Sequence, residues 1–169
     1  MPIATPVDLL MRHISTCKKN DLAAHPVNGG KYPFPVAQLI QQATSDRLLL
    51  AGEHLRSADQ LIFSSQFRSS ISRHYYAMYH AARSIVYADY RGDDYEKHNV
   101  LAHHLPIKLP DLATREQQLT EARFLRNQAD YDVYPFSLSE WESDARQLAI
   151  VATEFVKACE DFALDEGYV

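Results

Sequence analysis

Two short segments of the chain carry side chains that could bind an anion, stack on a ring or move a proton. The first spans residues 72–83 and the second residues 126–131. Guanidinium groups bind phosphate and carboxylate, aromatic rings stack on flat ligands, and imidazole titrates near neutral pH. The candidate residues are Arg73, Tyr76, His80 and Arg83 in the first segment, and Arg126, Asn127, Asp130 and Tyr131 in the second.

The first segment allows two interpretations. Tyr76 and His80 are four residues apart, so on a helix they share one face and could form a stacking or proton-transfer site. Alternatively, they belong with Tyr75 and Tyr79 to the core of a bundle, where each hydroxyl finds a partner. Arg73 and Arg83 differ in direction by about 80° on a helix, so they need not share a site.

The second segment also leaves two interpretations open. Arg126 and Asp130 are spaced to form an ion pair within one helix, which would hold the end of that helix. The same polar run is equally suited to the edge of a pocket. An arginine that reached back to the tyrosines of the first segment would satisfy both interpretations.

A metal site is not expected. His98, His103 and His104 lie close in sequence, but their spacing fits no zinc motif and no carboxylate partner is evident. The two cysteines, Cys17 and Cys159, form no CxxC pair and indicate neither a disulfide framework nor a cysteine zinc site. We therefore expect no metal and no cofactor.

Hydrophobic periodicity places both segments on helices of an all-α protein. The pattern predicts a short helix within residues 6–18, a linker loop with Pro and Gly over 19–35, and long helices from Val36 to about Phe63 and from about Phe67 to Tyr90. A short helical piece near residues 98–105 and a helix over about 111–128 follow. A last helix begins at a capping box on Ser137 or Ser139 and buries a regular apolar stripe.

The predicted organisation is an N-terminal extension of residues 1–35 and one helical bundle of residues 36–166. The chain has 169 residues, of which 46% are hydrophobic and 23% charged, the range of ordinary globular domains. No signal sequence or membrane helix is expected, so the protein is predicted to be cytoplasmic. A formal charge of −5 argues against coating nucleic acid by general electrostatics, so any contact with RNA must be local.

Three motifs in order resemble the HEPN family. Residues 72–83 read SRHYYAMYHAAR and match the signature helix SRxYYAxxHAAR; residues 96–100 resemble the KH segment that follows it; residues 126–131 resemble the RxxADY segment. The resemblance covers about residues 36–156 and leaves residues 1–35 unexplained. It implies an up-and-down bundle of four or five helices, commonly homodimeric, in proteins that are often RNases, toxins or partners of a nucleotidyltransferase.

One departure from the family bears on activity. The nuclease motif of the family has an arginine, then four to six residues, then a histidine, but the corresponding positions after Arg126 are Tyr131, Asp132 and Val133. Tyrosine is a poor base near neutral pH. Cleavage would need Arg126 to stabilise the phosphorane and His80 or His98 to carry the proton.

Two functional hypotheses follow. The first is a HEPN-like component of a prokaryotic toxin–antitoxin or defence module that binds or acts on RNA as a homodimer, with nuclease activity not favoured. The second is a non-catalytic interaction or nucleotide-binding module that docks a nucleotidyltransferase or antitoxin partner. By analogy with the family, such a partner could modify Tyr131 or Tyr134.

Overall fold

A computed structural model describes residues 4–24 and 35–169 and is built from helices. The six α-helices are α1 Pro6–Ile14, α2 Lys19–Ala24, α3 Val36–Phe63, α4 Phe67–Tyr90, α5 Leu112–Tyr131 and α6 Glu142–Asp165. Two 3₁₀ turns, Leu101–His104 and Leu138–Trp141, precede α5 and α6. Neither described range contains a strand, and no helix in them is long and apolar enough to cross a membrane. The predicted all-α bundle is confirmed.

Helices α3 and α4 form an antiparallel pair with the predicted limits. The chain reverses at Ser65, which adopts the left-handed conformation with φ 54°. The Gln66 amide donates to the Leu61 carbonyl at 2.8 Å and the Ser65 amide to the Ile62 carbonyl at 3.0 Å. These two bonds close a Schellman motif, so the reversal needs only three residues between the helices.

Helix α4 is the centre of the bundle and packs against α3, α5 and α6. It is buried on several faces, as its apolar pattern predicts, and Tyr75 is almost fully covered. A row of small buried side chains lets neighbouring helices approach closely: Ser70, Ala77, Ala81 and Ala88. Because α4 touches every other long helix, side chains along it can meet partners from several elements.

The predicted stripe of α6 is confirmed, but its predicted start is wrong. All the stripe residues are buried, from Trp141 through Phe155 to Phe162. However, neither Ser137 nor Ser139 caps the helix. Ser137 precedes a 3₁₀ turn without a side-chain cap, and its hydroxyl lies 2.8 Å from that of Ser139. Helix α6 begins at Glu142, after Trp141 has been buried against the bundle.

The N-terminal extension also differs from expectation. The predicted helix over 6–18 ends at Ile14, and part of the predicted linker is helix α2, where Leu22 is buried. Prolines and glycines at 26–35 dominated the prediction, whereas residues 19–24 contain neither. The rest of that loop, 25–34, lies outside the described residues.

A second apolar cluster joins the extension to the bundle. Ile14 and Leu22 pack with Ile40 of α3 and Tyr87 of α4. The Tyr87 hydroxyl donates to the Ile14 carbonyl at 2.8 Å. The extension is therefore packed against the same central helix that carries the candidate site.

Asp93 reinforces this junction from the loop after α4. Its amide donates to the Cys17 carbonyl at 2.8 Å, and its carboxylate accepts from Arg83. Gly92 beside it has no room for a side chain, because a Cβ there would overlap the backbone of Lys19. Residues 92–93 thus hold the start of α2 against the bundle.

Candidate functional site

Tyrosines on α4 fix the loop that carries His98. The Tyr75 hydroxyl lies 2.6 Å from His98 Nδ1, and the Tyr79 hydroxyl donates to the Glu96 carbonyl at 2.6 Å. The His98 ring stacks on Tyr79 with 4.2 Å between centroids. Tyr75 and Tyr79 are buried, so the interpretation as core with bonded hydroxyls is confirmed for both. Tyr75 through its hydroxyl and Tyr79 through its ring nevertheless hold His98, which is exposed, at a fixed place.

Arg126 reaches from α5 to the central helix. Its Nη2 donates to the Tyr76 hydroxyl at 2.9 Å and its Nη1 to the Asn127 side-chain oxygen at 3.1 Å. Its Nε lies 2.7 Å from Asp130 Oδ2, so the ion pair within the helix is present. The Arg126 side chain keeps 18% of its exposure. The predicted contact between arginine and tyrosine therefore coexists with the ion pair.

Tyr76 lies between Arg126 and two histidines. Its ring centroid is 5.4 Å from Arg126 Cζ and 6.0 Å from the His98 ring. On another side it stacks against His54 of α3 at 5.8 Å. Tyr76 is only partly buried. We call Tyr76, His98, Arg126, Asn127 and Asp130 the Arg126 site.

His54 is the member of this surface that sequence analysis missed. Its ring lies parallel to that of His80, with 5.2 Å between centroids and 3° between planes, and it also contacts Tyr76. Both partners come from α4, whereas His54 comes from α3. Spacing within one helix carries no signal for such a contact between helices. Only the position of His54 on the face of α3 that packs against α4 could have indicated this contact.

The two candidate proton carriers differ in their surroundings. Burial, with Arg126 and Arg83 nearby, lowers the pKa of His98. Burial, with His54 and neighbouring arginines, lowers the pKa of His80 to about 4. Both rings are therefore neutral at pH 7. His98 is exposed and borders the Arg126 site, whereas the Nδ1 of His80 is buried without a hydrogen-bond partner.

Arg73 and Arg83 do not share a site. Arg73 is exposed and lies near His54, where it contributes with burial to the lowered pKa of that histidine. Arg83 donates through Nε to Asp93 Oδ1 at 2.8 Å, within the junction with the extension. The structure therefore groups Tyr76, His98, Asn127 and Asp130 around Arg126, whereas the ion pair of Arg83 is made with Asp93.

One arrangement resembles a hydrolase triad but cannot act as one. Ser70 Oγ lies 3.2 Å from His74 Nδ1, and His74 Nε2 lies 3.4 Å from Asp59 Oδ1. Ser70 and His74 are fully buried, and the Ser70 hydroxyl donates to the Ala58 carbonyl. A substrate cannot reach this serine, so the three residues are structural.

The described part of the chain contains no group of three or more His, Cys, Asp or Glu side chains placed to hold a metal ion. Of the histidines considered for a metal site, His104 stacks on Tyr95 with 3.7 Å between centroids. His98 is held by Tyr75 and Tyr79. Aromatic packing therefore accounts for the positions of both rings.

The comparison with protein families assigns the fold. A family model described as HEPN domain matches residues 44–162. The chain belongs to the HEPN domain family. No curated protein and no solved structure gives a significant match to it. The HEPN match includes α4, α5 and all of the Arg126 site, and it leaves out α1 and α2.

Tyr131 is the first of the three positions after Arg126, 131–133, at which sequence analysis expected the motif histidine. This residue ends α5, is 71% exposed and has its ring 5.5 Å from Arg126 Cζ. The imidazole that borders Arg126 is instead His98, from a loop that precedes α5 in the chain. The HEPN domain therefore has an arginine and a histidine on either side of Tyr76.

Proposed function

We propose that this HEPN domain binds single-stranded RNA at the Arg126 site, as a component of a prokaryotic toxin–antitoxin or defence module. One observation carries the RNA proposal: Arg126 donates to the Tyr76 hydroxyl at 2.9 Å beside a row of partly exposed aromatic rings. Arginine contributes charge for the phosphate, and the rings of Tyr76, His54 and His98 offer stacking surfaces for bases. The module context rests on the family resemblance alone.

Binding without cleavage fits the site best. The Arg126 guanidinium already contacts Tyr76, Asn127 and Asp130, and Asp130 offsets its charge. A phosphate would therefore bind by taking the place of Asp130 beside Arg126, and cleavage would need in addition a proton carrier at the ribose hydroxyl. Cleavage would require His98 to take the proton from the ribose hydroxyl, since His80 is partly buried, its Nδ1 is covered and its pKa is lowered to about 4.

Fluorescence anisotropy with a short labelled single-stranded RNA tests the binding proposal. Arg126→Ala should weaken RNA binding by about tenfold or more, because it removes a charge-assisted phosphate contact. Tyr76→Leu should weaken it by a similar factor through lost stacking. Circular dichroism establishes that each variant keeps its helices.

Arg146→Ala is the matched control for that experiment. Arg146 also pairs with a carboxylate one helical turn away, since its Nε donates to Glu142 at 2.8 Å, but it lies on the exposed face of α6. It should bind RNA like the wild type. Equal losses in the Arg126 and Arg146 variants, or no binding by the wild type, would contradict the proposal.

Incubation of a mixed RNA pool with purified protein in EDTA separates binding from cleavage. We expect intact RNA with the wild type and with His98→Ala. Cleavage by the wild type that disappears in both Arg126→Ala and His98→Ala would instead establish a metal-independent RNase with His98 as proton carrier.

A second candidate function rests on the segment after α5. Residues 131–138 leave large apolar side chains in solvent: Tyr131, Val133, Tyr134, Phe136 and Leu138. Tyr134 and Phe136 are each 79% exposed. Apolar side chains clustered on one exposed segment are typical of protein interfaces. We infer that this segment contacts a second copy of the chain in a homodimer.

Light scattering after size exclusion tests the homodimer. Phe136→Ser should convert a dimer to a monomer while the helical content stays unchanged. A wild type that is monomeric at every concentration would overturn the homodimer. The exposed segment would then be assigned to binding of a nucleotidyltransferase or antitoxin partner. Such a partner could reach Tyr131 and Tyr134, and a mass increment on either after co-expression would identify modification.

A further inference from the structure

A cavity of about 330 Å³ lies where the N-terminal extension meets the bundle. We call it the extension pocket. Helix α1 and the turn after it form one wall, and α3 and α4 form the others. Its charged and titratable lining consists of Arg12, Asp46, Arg47, His80 and Arg83. Met11 and Leu50 add an apolar surface.

The positive charge of two arginines at this pocket exceeds the negative charge of the carboxylate beside them. Arg83 Nε donates to Asp93 Oδ1 at 2.8 Å, and Arg47 Nη2 lies 3.7 Å from the same oxygen. One buried carboxylate thus serves two guanidinium groups. Burial and the neighbouring Arg83 lower the pKa of Arg47. Arg47 Nη2 also donates to the Ser15 carbonyl, but this neutral acceptor does not cancel the charge. Since arginine keeps its proton in proteins, an anion bound beside these side chains would offset the remaining charge.

The pocket also contains polar atoms without partners. Among the described residues, five buried side-chain nitrogen atoms lack a hydrogen bond, and two of these five belong to lining residues, Arg47 Nε and His80 Nδ1. The Arg47 side chain is only 9% exposed. Buried polar groups are normally bonded, and an unpaired one is costly. Both nitrogen atoms are covered, so an acceptor oxygen of a ligand would bond to them only after a shift of the pocket side chains.

We propose that the extension pocket binds a small phosphate ester. The phosphate would lie against Arg12, Arg47 and Arg83, whose three positive charges exceed the charge of Asp93 by two, or by one if Asp46 at the rim is included. Guanidinium groups suit phosphate because their donors match its oxygens in pairs. The organic part would rest on Met11 and Leu50. Asp46 lies at the exposed rim, where it accepts from Gln42 Nε2 at 2.8 Å, so it need not oppose the phosphate.

The site is distinct from the Arg126 site and depends on the extension. Tyr76 and Arg83 are seven residues apart on α4, a distance of roughly 10 Å along the helix. Arg12 and Met11 lie on α1, outside the residues 44–162 that match the HEPN domain. Ligand binding here would hold α1 against α3 and α4.

Calorimetry on the full chain tests this proposal with inorganic phosphate, glycerol 3-phosphate and AMP, and with glycerol and adenosine as uncharged counterparts. At least one phosphate compound should bind to the wild type, and the uncharged compounds should not. Arg12→Ala should weaken that binding by about tenfold, because it removes one charged donor. Arg12 is exposed, so its replacement leaves the core intact.

Three further variants make the result decisive. Arg126→Ala and Arg146→Ala should bind the phosphate compound like the wild type, whereas His80→Ala should bind it more weakly. The proposal is overturned if no phosphate compound binds, or if Arg146→Ala loses as much affinity as Arg12→Ala. A loss of RNA affinity in Arg12→Ala equal to that in Arg126→Ala would also overturn it, because the pocket would then be one end of an RNA groove.

Discussion

Two arginine clusters lie along α4 and use the same chemistry in different surroundings. In the Arg126 site, the arginine and Asp130 side chains keep 18% and 25% of their exposure. In the Asp93 cluster, formed by Arg47, Arg83 and Asp93, the carboxylate side chain keeps 4%. In the Arg126 site one carboxylate pairs with one guanidinium group, whereas in the Asp93 cluster one carboxylate pairs with two.

This difference separates an ion pair that a ligand can open from one that it cannot. A partly hydrated ion pair is worth little, so Asp130 can give up Arg126 to a ligand at small cost. A buried carboxylate that serves two arginines is different, because its loss leaves charges without water or partner. The resemblance to the family drew attention to arginines in both places, but exposure distinguishes them.

Replacing the two carboxylates should give the largest contrast. Asp93→Ala should reduce the free energy of unfolding by about 3–5 kcal/mol, since Arg47 and Arg83 would remain buried without a counter-ion. Asp130→Ala should reduce it by about 1 kcal/mol or less. Urea unfolding followed by circular dichroism measures both.

Circular dichroism before unfolding serves as the control, because each variant must begin with native helical content. If Asp93→Ala does not fold, its failure beside a folded Asp130→Ala supports the contrast. Equal losses in the two variants would contradict it.

The pH dependence of stability should differ between His80 and His98. A folded-state pKa of about 4, against an ordinary value near 6.5, means that the unfolded chain binds more protons in this interval. Neutral His80 therefore contributes fully to the free energy of unfolding above pH 6.5. This contribution, about 3 kcal/mol for His80 alone, is lost as the pH falls towards 4. His54, His74 and His98 also have lowered pKa values and act in the same direction.

Unfolding free energies at pH 7 and pH 5 measure this dependence. His80→Gln should flatten the slope of stability against pH more than His98→Gln does, because His98 is exposed. A slope that His80→Gln leaves unchanged would show that His80 is not the buried neutral group described.

A smaller effect should mark the junction of the extension with the bundle. Gly92→Ala should cost about 1–3 kcal/mol, because the added methyl meets the backbone of Lys19. Gly52→Ala in α3 is the matched control: its Cβ would meet only Arg56 Nη1 at 3.7 Å, so it should stabilise by about 0.5–1 kcal/mol. Thermal unfolding compares them, and a neutral Gly92→Ala would indicate a looser junction.

Long periodic segments could be predicted from the sequence because their pattern is repeated over many residues. The limits of α3 and α4 and the buried stripe of α6 follow from apolar spacing alone. Helix α2 could not be predicted in this way, because a pattern over six residues is too short to show periodicity. Its stability comes from contacts of Leu22 with other elements. The start of α6 was predicted too early, at Ser137 or Ser139. Those residues lie at a 3₁₀ turn that ends with buried Trp141, and the helix begins after it.

Most residues of the candidate site could be predicted from the sequence, but not which of them contact one another in the fold. Arg126 and Tyr76 were both identified, yet their contact spans 50 positions in sequence. His54 was missed because its partners lie on another helix. Arg83 was assigned to binding because of its residue type, whereas its partner Asp93 was not identified from the sequence.

The most direct test of the account is to map RNA contacts on the folded protein. Nuclear magnetic resonance spectra of ring-labelled protein would be recorded with and without a short single-stranded RNA. We predict that the resonances of Tyr76 and His98 shift, while those of Tyr87, beside the Asp93 cluster, do not. Shifts confined to Tyr87, or no shift at either place, would contradict recognition of RNA by the Arg126 site.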